Sequence, residues 1–412
     1  MTFDARSFFP LRPGLVFLIL GATIFILFGP IIPTYFVVDD YNFVGELMLR
    51  GREYVQGYEL HRWFIEFSAQ GLQIPELSIF FRPGVHGLWL IDYLFWGTWA
   101  PGYHVTNIFL HVLNSFLVYL LALQILRHRA GALVAGFLFA LQPIHVTAVA
   151  LASNRVDLLS AFFYLASALY FVLFRQRSKR AYAIISALLY AGAIGTKEST
   201  VALPLILVGY DLLFSFPELR AFTRFQIARV TRGKNFAAES NAPETFSAFR
   251  AARQIIVAQI PYALVLVIYV ALRFLAFDEF GRNTGGGFLS YGAELFFQFY
   301  TLALSEPFVA DMNNGLLFSI LAAVAIMLAI FRARRAMWFG AGWIAVSLIP
   351  ATLVANVAPR IAYTPSAGLP LALAAILVQP VARIGKFSRR VGIALVLFLF
   401  GAYTWGLSAQ VD

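Results

Sequence analysis

The sequence predicts an all-α, polytopic membrane protein of the kind built from packed spanning helices. Three observations predict it. Of 412 residues, 60% are hydrophobic and only 13% are charged, about half the charge of an ordinary soluble domain. Apolar runs close to the roughly 20 residues that cross a bilayer recur along the whole chain. The basic residues, which give a net charge of +10, gather between alternate runs. Soluble enzymes and nucleic-acid-binding domains are excluded by the first two observations. The absence of cysteine excludes disulfide scaffolds, thiolate metal sites and cysteine nucleophiles.

Taken in order, the run at 14–36 follows Arg6 and Arg12 with no small-residue cleavage pattern, so it is expected to be a retained helix. Residues 37–101 form the first outer loop, acidic and aromatic. Within it, 84–97 carries Asp92 and is expected to lie at the membrane interface. Spans are expected at 102–126, 131–151, 156–174, 181–196 and 198–215. The basic loop 216–255 is expected in the cytoplasm, as a solvated or lipid-surface segment. A span at 256–276, an interfacial helix at 287–303 with Glu294, and spans at 315–331, 336–356, 361–380 and 391–409 follow. That makes about 11 transmembrane helices in a single domain over 1–412.

Placing the N-terminus in the cytoplasm puts 22 of the 31 Lys and Arg on that side, with 5 of the 21 acids. The cytoplasmic side then carries +17 and the opposite side −7. This is the positive-inside distribution and not a nucleic-acid footprint. It puts the C-terminus outside, and a bacterial inner membrane is favoured over the endoplasmic reticulum.

A charge inside a span costs about 3 kcal/mol, so polar groups that persist there face a cavity or a partner. In this chain they fall near the outer ends of helices: Asp39, Asp40, Arg82, Arg155 with Asp157, Lys197 with Glu198, Arg273, Glu306 and Arg360. One outward-facing pocket would collect them. A carboxylate at its edge serves as a general base, and Asp39 is preferred as the first acid after the span. Capping of a short helix from Tyr41 is the alternative for the pair. His104, Asn107, His111 and Asn114 share one helical stripe. The two histidines stand about 10.5 Å apart along the axis, too far for one zinc ion. Contacts between helices explain the stripe, with His104 as the candidate for substrate. The pairs Arg155/Asp157 and Lys197/Glu198 read either as salt bridges or as ligand groups. Arg82, Arg273 and Arg360 suit phosphate, which guanidinium binds bidentately; snorkelling to the interface is the alternative.

Several motifs resemble a known group. Val37-Val38-Asp39-Asp40, Phe81-Arg82-Pro83 and the segment from Gly102 through His104 and Asn107 to His111 are similar to the GT-C glycosyltransferases. The likeness is greatest to the transmembrane and tetratricopeptide-repeat O-mannosyltransferase branch. It continues through Gln142-Pro143-Ile144-His145, Asn154-Arg155-Val156-Asp157, Thr196-Lys197-Glu198, Leu203-Pro204-Leu205, Tyr210-Asp211 and Arg360-Ile361-Ala362-Tyr363-Thr364-Pro365-Ser366.

The resemblance implies transfer of a sugar from a polyprenyl-phosphate donor to a protein or glycan acceptor on the outer or luminal face, as in protein glycosylation. It implies Asp39 or Asp40 as the base and donor-phosphate contacts for arginines such as Arg360. A divalent ion, Mg or Mn, bridging Asp39 or Asp40 to the phosphate is compatible with hard oxygen ligands. The pattern differs at Gln142, Thr147, Leu151 and Pro359, where the family usually has His, Glu, Trp and Glu, and the repeats are missing from these 412 residues. A non-catalytic GT-C-like subunit of a membrane complex is therefore the second reading, and a lipid or solute transporter the third.

Overall fold

The computed structural model describes residues 12–37, 39–41, 43–45, 48, 81–216, 248–277, 335–352, 359–377 and 401. The expected spans 315–331 and nearly all of 391–409, the helix at 287–303, Glu306 and most of the two long loops lie outside the described residues. Every regular element among those described is helical.

The first helix, α1 (Pro13–Phe28), contains no charged residue and has proline in its first turn, where the missing N–H is no loss. Val16, Leu20, Ile24 and Phe28 are buried at four-residue spacing, while Leu18 and Ile26 are exposed. One stripe packs on the bundle and the other face is left for lipid. After α2 (Pro83–Trp96), the 27-residue α3 (Ala100–Leu126) is the central pillar. It packs against α1, against α4 (Arg129–Ala140) and against the long α6 that follows α5 (Val146–Ala150).

That long helix, α6 (Arg155–Arg177), returns along α3 and is flanked by α7 (Arg180–Ile194) and α8 (Leu203–Tyr210). Next comes α9 (Ala248–Phe277), which leans on α7; α10 (Arg335–Thr352) meets α8. The short α11 (Tyr363–Ser366) and α12 (Gly368–Leu377) complete the set. In a bilayer, lipid competes for apolar surface, so close backbone approach drives helix pairing. Gly340 of α10 and Gly368 of α12 show it: a Cβ added at Gly340 would sit 2.4 Å from the Gly368 carbonyl oxygen.

Five described helices are long and apolar enough to cross a membrane, or six if one bent pair is counted as a single span. Three expectations are corrected. The 131–151 run is two helices bent by 50°, because Pro143 cannot continue the hydrogen-bond ladder across the junction. The 361–380 run is broken into a 3₁₀ turn (Pro359–Ala362), α11 and α12, with Pro359 and Pro365 as interruptions. The 181–196 run yields only the 15 residues of α7, short of a spanning length.

The polar stripe of α3 explains how these breaks persist in an apolar interior. Irregular backbone there needs protein partners for its freed groups. The Asn107 amide donates to the carbonyls of Val149 (3.2 Å) and Leu151 (2.9 Å), at the end of α5. His111 reaches the Ala140 carbonyl at 3.1 Å and the Tyr363 hydroxyl at 2.7 Å. Asn114 donates to the Leu158 carbonyl and to the same hydroxyl. His145 meets Ser366 at 2.7 Å, and the rings of His111, Phe139, His145 and Tyr363 close into one cluster. The stripe is thus a clamp on two broken segments, as inter-helix contacts would require.

Candidate functional site

The functional side chains expected from the sequence converge on the stretch just before and within the first turn of α6. There the 3₁₀ turn Ala152–Asn154 runs into the helix, and successive residues point in different directions. Each one holds a different part of the protein. The Ser153 backbone N–H donates to Asp40 at 2.6 Å. Asn154 accepts from Arg360 through its side-chain oxygen. Arg155 binds Asp92 at 2.6 Å, and Asp157 binds Lys197.

This geometry corrects the pairing read from sequence. Neither Arg155 with Asp157 nor Lys197 with Glu198 forms an ion pair. Neighbours one or two apart on a helix do not face each other. The observed pairs are Arg155–Asp92, Lys197–Asp157 and Arg82–Glu198. The last is a two-pronged contact, with Arg82 Nε at 3.0 Å and Nη2 at 2.5 Å from the two Glu198 oxygens. It is assisted by the Gly84 N–H, which donates to the Gly195 carbonyl at 2.9 Å.

The two adjacent aspartates differ. Asp40 is wholly buried and its Oδ2 accepts from the Val37 N–H at 3.1 Å while Oδ1 accepts from Ser153. Asp39 is exposed. One acid ties the loop to the 3₁₀ turn, and the other remains open to a ligand.

Arg155 has no accessible surface. Its guanidinium lies 4.1 Å from the Trp89 ring and 5.0 Å from Tyr103, and also donates to the Ala152 and Tyr103 carbonyls. Such a fork has no room for phosphate, so the phosphate-contact expectation for Arg155 is corrected. Asp92 also accepts from Thr106 at 3.0 Å; burial pushes its carboxyl above the usual range against the pull of Arg155. His104, the candidate for substrate, is 1% exposed and its ring bonds Thr34 at 3.2 Å, a contact within the protein. Burial and the Arg82 charge lower His86 of α2 to about 3, leaving it neutral at pH 7. At Arg82 itself, burial opposes the charge but Glu198 outweighs it and raises the proton affinity.

Arg360 differs from its neighbours. It is half-buried, and among the described residues its side chain has a neutral partner, Asn154, and no carboxylate. Arg273, near the end of α9, lies beside Tyr269, which faces Phe81 and the Arg82–Glu198 pair. Arg82, Lys197, Arg273 and Arg360 therefore do share one end of the bundle with Asp39 and Asp40. Asn154, which holds Arg360, is a residue whose importance the sequence reading missed. Its signal was only the motif it shares with Arg155 and Asp157.

A divalent ion is not well served by the described residues. Both Asp40 oxygens receive N–H donors, and no group of three or more His, Cys, Asp or Glu is placed to hold a metal among the described residues. Hard cations want six or more oxygens.

The architecture and the apolar helices define an integral, multi-pass membrane protein with a charged cluster at one end. No protein-family profile matches the chain. Two curated relatives do: it is 33% identical over 138 residues to protein O-mannosyl-transferase Tmtc1 of Drosophila melanogaster, and 33% identical over 145 residues to Tmtc2 of the same fly. Each match covers 32% of this chain and 16% of the relative. The resemblance to that branch is borne out to this extent. Among solved structures, the chain is similar to an archaeal oligosaccharyltransferase, AglB of Archaeoglobus fulgidus, solved with an inhibitory peptide and a dolichol-phosphate. That likeness has a TM-score of 0.44 at 16% identity and covers 80% of this chain and 48% of AglB.

Proposed function

We propose that the chain is a membrane glycosyltransferase that moves a sugar from a polyprenyl-phosphate donor to an acceptor hydroxyl on the outer or luminal face. The observation that carries this reading is Arg360, a half-buried guanidinium whose partner among the described residues is neutral, where Arg82, Arg155 and Lys197 pair with carboxylates. The identity with the two fly O-mannosyl-transferases supports it over a third of the chain.

In this mechanism Asp39 accepts the proton of the acceptor hydroxyl as that oxygen bonds to the anomeric carbon. The bond from the anomeric carbon to the phosphate oxygen breaks, and its electron pair leaves with the lipid phosphate. That leaving group is a stable anion and needs no proton, so a cation held in place beside it is sufficient. Arg360 supplies that charge. Asp40 acts through position, holding the loop that carries Asp39 against Ser153.

Removing a general base costs a factor of about 10²–10⁴ in rate. Transfer from polyprenyl-phosphate mannose by protein reconstituted in nanodiscs is the assay. Asp39→Asn is expected to abolish transfer with folding and donor binding intact, whereas Arg360→Ala raises the donor concentration required and Arg360→Lys restores it in part. Full transfer by Asp39→Asn overturns the base assignment. No transfer by the wild type from any polyprenyl-phosphate sugar would instead favour a non-catalytic subunit.

A further inference from the structure

A narrow cleft opens between the first turn of α6, the 3₁₀ turn Glu198–Ala202, α10 and the Pro359–Ser366 segment. It has room for about one water molecule. Asp157 lines it, and one carboxylate oxygen is bound to Lys197. The other, Oδ2, is buried and has no hydrogen-bond partner among the described residues. A buried carboxylate oxygen left without a donor is costly, so a water or a ligand hydroxyl has to supply one. Thr364 and Ser199 bring hydroxyls to the same cleft, and Tyr164 forms a wall, fixed by its bond to Ser347 at 3.2 Å.

The size and chemistry restrict the occupant. Phosphate is excluded by the carboxylate and by the volume, and a metal cation by the Lys197 ammonium. A hydrocarbon chain would leave Oδ2 unsatisfied. A single hydroxyl fits: it donates to Asp157 Oδ2 and accepts from Thr364 or Ser199. Position gives the source of that hydroxyl. Ile361, which lines the cleft, directly follows Arg360, and Asp157 lies three residues beyond Asn154, the partner of Arg360. The sugar joined to a phosphate on Arg360 is the part of the donor that would bring a hydroxyl to this cleft.

We infer that this cleft reads a hydroxyl of the donor's sugar, with Asp157 as the specificity-determining acceptor and Lys197 holding it in place. The inference rests on the polyprenyl-phosphate reading above. Under it, lipid phosphate and sugar are recognised by separate groups, and the sugar's contribution can be removed alone.

The test is equilibrium binding to the purified full chain. The probes are bare polyprenyl phosphate and polyprenyl phosphates carrying mannose, glucose, galactose or arabinose, with deoxy analogues of the tightest binder. The expected result is that one sugar-bearing lipid binds about 10- to 100-fold more tightly than the bare phosphate, the range for a hydrogen bond to a charged group. One deoxy analogue loses that gain, as does Asp157→Asn, while affinity for the bare phosphate stays unchanged. Because Asp157→Asn leaves Lys197 without its carboxylate, the pair Asp157→Asn/Lys197→Met removes the stray charge. Thr364→Val, which keeps the shape, is expected to lose part of the gain. Equal binding of bare and sugar-bearing lipids, or a gain that survives these variants, overturns the inference and leaves the lipid-phosphate reading standing. Failure of every lipid to bind overturns that reading and this inference with it.

Discussion

The two ends of the same helices are built in different ways. At the Arg177 end, α3 and α6 stop in regular turns. Arg127 and Ser178 take left-handed conformations, with φ of 51° and 56°, and return their N–H groups to Leu123 and Phe174, a geometry that closes many helix C-termini. Arg127, Arg129, Arg177, Lys179 and Arg180 are exposed there, and a single ion pair, Arg175–Asp211, is buried among the described residues. At the Asp40 end, helices break into 3₁₀ turns, and charges are buried and shared among segments far apart in sequence. Exposed cations orient a membrane protein and need no fixed partner. Buried, interlocked charges cost desolvation and persist where geometry has to be held. Under the proposed function, the Asp40 end is the one that carries the chemistry.

The comparison is broken most severely at Arg155. Arg155→Met leaves Asp92 buried beside Trp89 without its cation, and such a loss costs about 3–5 kcal/mol. Detergent-solubilised variant is expected to melt well below wild type, and Arg155→Met/Asp92→Leu to recover much of the difference. A wild-type melting curve for the single variant would show that the pair does not hold this end together.

Next is Asp40→Asn. The new amide turns a donor toward one of two N–H groups, at Val37 or Ser153, and leaves it unsatisfied, costing about 1–3 kcal/mol. Asp39→Asn changes no buried contact, so its melting temperature should match wild type. Equal stability of both variants would erase the distinction between the anchoring and the open acid.

Acid sharpens the comparison further. His86 is held near 3 in the folded chain and near 6.5 when unfolded. Its contribution is therefore complete above about pH 6.5 and is lost as pH falls toward 3, at up to about 1.4 kcal/mol per pH unit. Melting followed from pH 7 to 5 should fall less steeply in His86→Phe than in wild type. Identical slopes would remove His86 from the account.

The smallest effect is expected at the basic end, where Arg177→Ala and Lys179→Ala should alter stability by no more than about 0.5 kcal/mol. Their role lies in orientation. Reporters fused after residue 240 and after Asp412 are expected on opposite sides of the membrane, and finding them together would undo the assignment of the Asp40 end to the outer face.

Much of this was legible in the sequence, and for a definable reason. The α3 stripe of His104, Asn107, His111 and Asn114 was visible because helical period converts spacing directly into a shared face. The collection of Arg82, Lys197, Arg360 and the aspartates at one end followed from their places at the ends of apolar runs. What the spacing did not reveal was partnership. Arg155 read as either a salt-bridge or a ligand group, and Trp89, Tyr103 and Asp92 enclose it completely, while the described partner of Arg360 is an amide. The 131–151 run read as one span, and its bend at Pro143 depended on Asn107 and His111 being near enough to receive the freed carbonyls.

The sequence by itself determined that this chain enters a bilayer, that its helices are the only economical state for its backbone there, and which residues would cost most to place in it. These follow from hydropathy and local geometry, which act over a few residues. Only the tertiary structure decided that Asp40 is tied down and Asp39 is open, that Lys197 belongs to Asp157, and that one oxygen of the Asp157 carboxylate has no hydrogen-bond partner among the described residues. A charge takes its partner from whatever the fold brings within about 3 Å, and segments separated by 40 to 206 residues meet here. Coulombic and hydrogen-bond energies depend on that distance and not on separation along the chain.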